Sequence, residues 1–334
     1  MEGLAYINGD FVPLHDAKVS ILDRGFRYGE GLFETICVHE GKAIFLKEHF
    51  ERLQNSAEAL GLKLPVNFEQ VAKITEKLTR PVRNKSPLDD RMEMPKAIPI
   101  SNGVKNGILN IYLTKTDEKG RGNNFVIVVK DEIRYKESDY KKGYTAIISS
   151  VRIDSSLSIN SHKTLSFLPH ILAKKEAKEK GADEAILLNT DGFVLEGTTR
   201  NIFMVKGSKL ITPPVKSGIL PGITRAKILQ IAPTVGLKVE EKLIEPDFLK
   251  SCDEVFLTSS LIEVMPVVKL YDTARNRRAK PPALFKMRDK NPEPIVVLGR
   301  TQRGAWVNIN NGKPGKYAVI LRERYRELVC YPVV

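Results

Sequence analysis

Nowhere does the 334-residue sequence run to about 18 apolar residues in a row, so a membrane-spanning helix is not expected. Cysteine is scarce: Cys37, Cys252 and Cys330 lie far apart, with the spacing of neither a metal-ligand set nor a disulfide framework. A reducing compartment, the cytoplasm, and no bound metal are therefore expected. The opening Met1-Glu2-Gly3-Leu4-Ala5-Tyr6 carries no basic segment followed by an apolar stretch, which argues against a secretory signal. Internal repeats are missing too. Acidic residues are in deficit, 40 Asp and Glu against 53 Lys and Arg, leaving a net charge of +13. That charge is spread along helical stretches such as Lys174, Lys175, Lys178 and Lys180, interleaved with Glu176 and Glu179, in the pattern of a solvated helix face. With no recognition motif beside it, nucleic acid is not an expected partner. An anionic cofactor and carboxylate substrates sit well in a positive field.

What is present is an ordinary globular composition, 42% hydrophobic and 28% charged, in a chain long enough for one large domain or two ordinary ones. Apolar residues at 5–7 and 11–14 flank Asn8-Gly9, a hairpin signal. Residues 32–38 have strand composition, and Glu40-Gly41 turns them into a further apolar run at 43–46. Phe50, Leu53, Ala57 and Leu60 make one helical stripe stopped by Gly61. Strands at 110–113 and 125–129 complete a small α/β domain over 1–137. A larger domain over 138–334 holds strands at 144–150, 185–188, 193–196, 202–205 and 254–258, and helices at 168–180, from 223, and at 317–328. Two stretches lack periodicity and read as insertions: proline-rich 81–105, and basic 273–303 with a strand at 295–298. The fold class expected is α+β.

Five pieces carry candidate chemistry. Lys163, in Ser161-His162-Lys163-Thr164-Leu165-Ser166, precedes an apolar helix. Such a lysine is ordinarily a solvated amine, but a partly desolvated one is deprotonated and nucleophilic near neutral pH. Glu196 ends an apolar strand; a buried carboxylate there suits a heterocyclic ring nitrogen. Gly218-Ile219-Leu220-Pro221-Gly222-Ile223-Thr224-Arg225 is a glycine turn opening into a helix, whose free N–H groups at Gly222, Ile223 and Thr224 make a phosphate cup. Ser259 and Ser260, after the strand at 254–258, offer hydroxyls to complete it. Arg52 lies off its helix's apolar stripe and offers a guanidinium to a phosphate. Gly29-Glu30-Gly31 suggests a dinucleotide loop, but it leads into a strand, and that reading fails.

These pieces, together with residues 23–35 (Asp23-Arg24-Gly25-Phe26-Arg27-Tyr28-Gly29-Glu30-Gly31-Leu32-Phe33-Glu34-Thr35), resemble the class IV aminotransferases, the fold-type IV enzymes of pyridoxal 5'-phosphate. The resemblance covers nearly the whole chain outside the two insertions. It implies a small α/β domain, a larger β-barrel-like domain with helices, the cofactor between them, and a homodimer. Lys163 is then the Schiff-base lysine and general acid/base. Glu196 pairs with the pyridine nitrogen, and Arg52, Gly222, Ile223, Thr224, Ser259 and Ser260 hold the phosphate. Tyr28 and Phe33 match the aromatic pair of the branched-chain enzymes, and Lys115 is a further substrate residue. Where those enzymes carry an arginine this chain has Asn110, and D-specific members carry a tyrosine at the place of Phe33. Transfer between a branched-chain or related L-amino acid and a 2-oxo acid is the expected activity. Pyruvate elimination from aminodeoxychorismate is the alternative, and a non-catalytic docking protein on the same fold a remoter one.

Overall fold

The computed structural model describes residues 4–79, 103–116, 122–132, 135–272 and 305–330. The expected insertion at 81–105, save its last three residues, and the whole of that at 273–303, with its strand at 295–298, lie outside the described residues.

Strands β1 (Leu4–Ile7), β2 (Asp10–Pro13), β3 (Gly31–His39), β4 (Lys42–Ala43), β5 (Gly107–Lys115) and β6 (Asn123–Lys130) form an antiparallel sheet in the order β2-β1-β6-β5-β3-β4. The Asn8-Gly9 hairpin forms: Ile7 pairs with Asp10, and both turn residues take positive φ, 52° and 117°. After α1 (Arg24–Tyr28), the helices on this sheet are α2 (Leu46–Ala59) and α3 (Phe68–Thr79). The apolar run at 43–46 does not stay extended, because Phe45 takes φ 54° and starts α2. Leu32, Ile36 and Val38 alternate inward along β3 and meet Phe50, Leu53 and Ala57 of α2 in one core. Each such large side chain contributes roughly 1.5–3 kcal/mol by its burial. Glu34 occupies an inward position in the same alternation, 1% exposed. Helix α3 is not among the expected elements, although Val71, Ile74 and Leu78 stand at helical spacing and are buried.

Past α4 (Glu137–Lys142), nine strands make the second sheet among the described residues: β7 (Tyr144–Ile153), β8 (Glu184–Asn189), β9 (Val194–Gly197), β10 (Asn201–Lys206), β11 (Lys209–Thr212), β12 (Lys238–Glu241), β13 (Glu254–Ser259), β14 (Glu263–Asp272) and β15 (Ala305–Asn308). Their order is β12-β11-β10-β13-β14-β7-β8-β9, with β15 on β14. The pairs β7/β8 and β11/β12 are parallel and so need crossovers, supplied by α5 (Leu168–Glu179) and α6 (Ile223–Ile231). Ala173 and Ala177, one turn apart on α5, are fully buried in a cluster with Ile147, Ala185 and Leu187. Their small side chains let α5 approach the sheet; a larger residue there costs roughly 1–3 kcal/mol of overpacking. Helices α7 (Phe248–Ser251) and α8 (Lys316–Cys330) complete the described residues, and α8 buries Leu321 and Tyr325 against Phe203, Phe256 and Ile228. The class is α+β. Among the described residues no helix is long and apolar enough to cross a membrane.

Candidate active site

Backbone hydrogen bonds between β3 and the segment that precedes α5 set the position of Lys163. The Phe33 N–H donates to the Lys163 carbonyl and the Leu165 N–H to the Gly31 carbonyl, each at 2.9 Å, so the lysine segment is laid against the start of β3. This explains the glycines that superficially suggest a dinucleotide loop. A Cβ on Gly31 would lie 2.8 Å from both the Leu113 carbonyl and the Leu165 side chain, and one on Gly29 (φ 70°) 2.8 Å from Ser166 Oγ. Asp23 fixes the approach to this turn: its carboxylate caps α1 at the Phe26 N–H (2.9 Å) and accepts from Thr114 (2.6 Å) and Asn124 (2.7 Å).

Beside this seam lies a cavity of about 580 Å³, of the size that takes a small organic ligand. Phe33, Arg52, Lys163, Glu196, Gly222, Ile223, Thr224, Ser259 and Ser260 all line it. Tyr28 and Lys115 do not. Tyr28 is half exposed on α1 with its ring beside Arg24 and Arg27, and Lys115 pairs with Glu30 at 3.5 Å at the end of β5.

The two ionisable groups central to the cavity are both displaced from their ordinary ranges. Burial, reinforced by the positive charge of Arg52 and opposed by Glu34 and Glu196, lowers the Lys163 amine to about 8. Burial raises the Glu196 carboxyl to about 8, outweighing the Leu220 N–H that donates to it at 3.3 Å and the charges of Lys163, Arg225 and Arg52. Asn201 Nδ2 donates to the second Glu196 oxygen at 2.9 Å. The cavity therefore pairs an amine that loses its proton easily with a carboxyl that holds its proton unusually well.

Helix α6 begins at Gly222 (φ −69°, ψ 137°), which offers no capping side chain, so the N–H groups of its first turn face the cavity end uncapped. The Thr224 hydroxyl lies 3.3 Å from the Tyr325 hydroxyl of α8. Arg52 reaches the same end and donates from Nη1 to the Pro221 carbonyl at 3.0 Å.

Several functional-looking residues escape sequence reasoning. Glu34 takes the Nε and Nη2 hydrogens of Arg52 at 2.7 and 2.6 Å, and His49 Nδ1 stands 2.7 Å from the same carboxylate. His170, stacked on Phe167 at 4.5 Å, is pushed to about 4 by burial and by the Lys163 charge. Arg200 is bound by buried Glu184 and by the Tyr135 hydroxyl at 3.0 Å. Three buried polar atoms on cavity residues, Thr258 Oγ1, His170 Nδ1 and Arg200 Nε, have no hydrogen-bond partner among the described residues. Such atoms are costly unless something bonds to them, which favours a polar occupant.

An aldehyde cofactor bearing a phosphate fits these residues: a readily deprotonated amine, a carboxyl in need of a positive neighbour, and an uncapped helix start beside an arginine. Capture of pyridoxal 5'-phosphate by the cofactor-free protein requires the neutral amine. Its rate should rise with pH to a plateau with a midpoint near 8, followed as growth of yellow absorbance after rapid mixing. A midpoint at the ordinary lysine value of 10.5 would show that the amine is not desolvated.

Comparison with known proteins gives three kinds of match. The family model for amino-transferase class IV matches residues 31–270. A protein of Methanocaldococcus jannaschii named "Putative branched-chain-amino-acid aminotransferase" is 34% identical over 286 residues, 85% of this chain and 94% of that one. D-alanine aminotransferase of Staphylococcus epidermidis is 34% identical over 270 residues, 79% of this chain and 88% of that one. Among solved structures, a branched-chain amino acid aminotransferase of T.th. with pyridoxamine 5'-phosphate superposes with a TM-score of 0.76 at 25% identity, covering 98% of this chain and 94% of that one.

Proposed function

Because this chain belongs to the class IV aminotransferases and so works with pyridoxal 5'-phosphate, we propose that it moves the amino group of a branched-chain or related L-amino acid to a 2-oxo acid, with Lys163 as its proton-carrying amine. The observation that carries this reading is the opposed displacement of Lys163 and Glu196, both to about 8, within one cavity. The cofactor supplies, when bound, an electron-withdrawing ring next to the substrate α-carbon. Lys163 Nζ would take the α-proton from the substrate and deliver it to the cofactor's former aldehyde carbon, so that the amino group stays behind when the 2-oxo acid leaves. Glu196 stabilises a proton at the ring nitrogen. Arg52, Gly222, Ile223, Thr224, Ser259 and Ser260 bind and orient the phosphate, which keeps the reacting carbon in reach of Nζ. Phe33, Phe167, Ile171 and Leu261 on the cavity wall favour an apolar substrate side chain. Tyr28 and Lys115 belong to this reading as contributions from a second copy, in a cytoplasmic homodimer. Exposure of Ile21 (77%), Leu22 (60%) and Phe26 (71%) around α1 supports such a contact.

The test is a panel of donors on the purified holoenzyme. L-leucine with 2-oxoglutarate should yield glutamate, with kcat/KM at least roughly tenfold above that for D-alanine, a discrimination within reach of pocket shape alone. A faster reaction with D-alanine overturns the L-specific reading. Pyruvate release from aminodeoxychorismate, with no glutamate from L-leucine, overturns transamination in favour of elimination.

A further inference from the structure

We propose that His49 and Glu34 are positioning residues for the cofactor phosphate: its entry is coupled to uptake of one proton by His49, which turns the Ser260 hydroxyl hydrogen from the imidazole toward the phosphate. The inference rests on the phosphate assignment of the preceding section and extends it to two residues outside the cavity lining.

The contacts leave little freedom. His49 on α2 is 1% exposed; its Nδ1 lies 2.7 Å from Glu34 Oε2 and its Nε2 3.2 Å from Ser260 Oγ. Glu34 also accepts the Arg52 hydrogen bonds from Nε and Nη2. Burial works to raise the Glu34 carboxyl, but Arg52 and His49 outweigh it and hold it at about 2. Glu34 is thus ionised at neutral pH and only accepts, so His49 Nδ1 carries a hydrogen in either charge state. Everything then turns on Nε2. In the neutral ring Nε2 is an acceptor, Ser260 donates to it, and the serine presents lone pairs to the cup, where they repel phosphate oxygens. In the imidazolium Nε2–H donates to Ser260 Oγ, and the hydroxyl hydrogen is released toward the cup. The proton comes from solvent, and an N–H bond is the only covalent bond formed.

The charges around His49 make the switch sensitive to what enters. Burial lowers its pKa, Glu34 on β3 raises it, and Arg52 on α2 and Lys163 on the segment before α5 lower it again, the net result lying below the ordinary value. Glu48, also on α2, is occupied by Lys227 of α6 at 2.8 Å. With the cavity empty the ring is neutral near pH 7. A phosphate monoester brings about −1.5 to −2 charges to this site and opposes both Arg52 and Lys163. Phosphate and proton therefore favour each other's binding.

Pyridoxal, which lacks the phosphate but shares the aldehyde, isolates the effect. The ratio of dissociation constants, pyridoxal over pyridoxal 5'-phosphate, should be measured on the full chain by absorbance between about pH 6.5 and 9. Covalent capture by Lys163 is common to both ligands, so the ratio reports what the phosphate adds. The ratio should fall with rising pH, by roughly tenfold per pH unit at its steepest, as uptake of one proton requires. His49→Gln should make the ratio nearly flat. As a check independent of that variant's folding, the His49 ring resonances of the wild-type chain should shift to the doubly protonated form on addition of pyridoxal 5'-phosphate at pH 7.5, but not of pyridoxal. A flat wild-type ratio, a slope retained in His49→Gln, or an unshifted ring overturns the coupling while leaving the active-site assignment standing. Capture of neither aldehyde sinks that assignment and the coupling together.

Discussion

Lys163→Ala should reduce transamination by at least roughly a thousandfold, the scale of a lost general acid/base, and abolish the yellow absorbance of lysine-bound cofactor. Its effect on folding should be of the opposite kind. A base held at about 8 in the fold against 10.5 in the open chain destabilises the cofactor-free protein fully below pH 8, and that penalty disappears as pH rises toward 10.5. Removing the amine lifts this penalty and sacrifices only the packing of its aliphatic stem. The cofactor-free variant should therefore melt no lower than the wild-type chain at pH 7, with the difference shrinking above pH 8. Differential scanning calorimetry at pH 7 and 10 reads this directly. Wild-type turnover in the variant would remove Lys163 from its assigned place; a collapse of melting temperature at pH 7 would show that the lysine stabilises the fold rather than serving chemistry at its expense.

How far the sequence discloses this arrangement depends on how local each signal is. The Asn8-Gly9 hairpin, the stripe of α2 and the alternation of β3 are legible because turn chemistry and apolar period act within a few residues. Short strands such as β11, with four residues, and β12, also with four, carry too little period to stand out, and their pairing is parallel through α6. Helix α3 is a different case: its Val71-Ile74-Leu78 stripe is plain, and only its place between two better-marked segments hides it. The start of α2 is not marked in the sequence because an apolar run of four residues has the same look in strand or helix, and the backbone of Phe45 decides it.

The site shows the same division. Lys163, Glu196 and the 222–224 turn are visible as residue types at the ends of periodic segments, and they line one cavity. Arg52 is readable as a cation off an apolar stripe, but not as the partner of Glu34, 18 residues earlier in the chain. That partner had a signal of its own. A carboxylate at an inward position between Leu32 and Ile36 breaks the alternation of β3, and a buried acid requires a cation. His170 and Arg200 had none, since each sits where a solvated residue is equally natural in sequence, and burial against Phe167 and Glu184 is a product of tertiary packing. The glycines at 29 and 31 are conspicuous in sequence, yet their reason, room for the Ser166 and Leu165 segment, is visible only once that segment is laid beside the start of β3.

Glu196→Gln is the sharper test of the chemistry, because it keeps the shape of the side chain and removes its ability to ionise. Both Glu196 oxygens accept, from Asn201 Nδ2 at 2.9 Å and from the Leu220 N–H at 3.3 Å. A glutamine satisfies one of these donors and presents its own hydrogens to the other, so the longer bond from Leu220 is the one surrendered, at about 0.5–1.5 kcal/mol. Against that modest structural loss stands the removal of the carboxyl proposed to stabilise positive charge at the ring nitrogen. Turnover should fall by roughly a hundredfold to a thousandfold, the usual scale for deleting one preorganised electrostatic contact. Cofactor affinity should change by only a few-fold, because the substitution leaves the proposed phosphate contacts untouched. Stability of the cofactor-free variant supplies the independent readout. An acid raised from 4.5 to about 8 destabilises the fold progressively as pH rises above 4.5, and by its full amount above about 8. The melting temperature of Glu196→Gln should accordingly lie slightly below the wild-type value near pH 4.5, by the lost Leu220 bond, and overtake it as pH rises toward 8. Equal turnover in the two proteins contradicts the role at the ring nitrogen, and parallel melting curves across that range contradict a desolvated carboxyl. The two measurements separate what Glu196 does for the reaction from what it does to the fold.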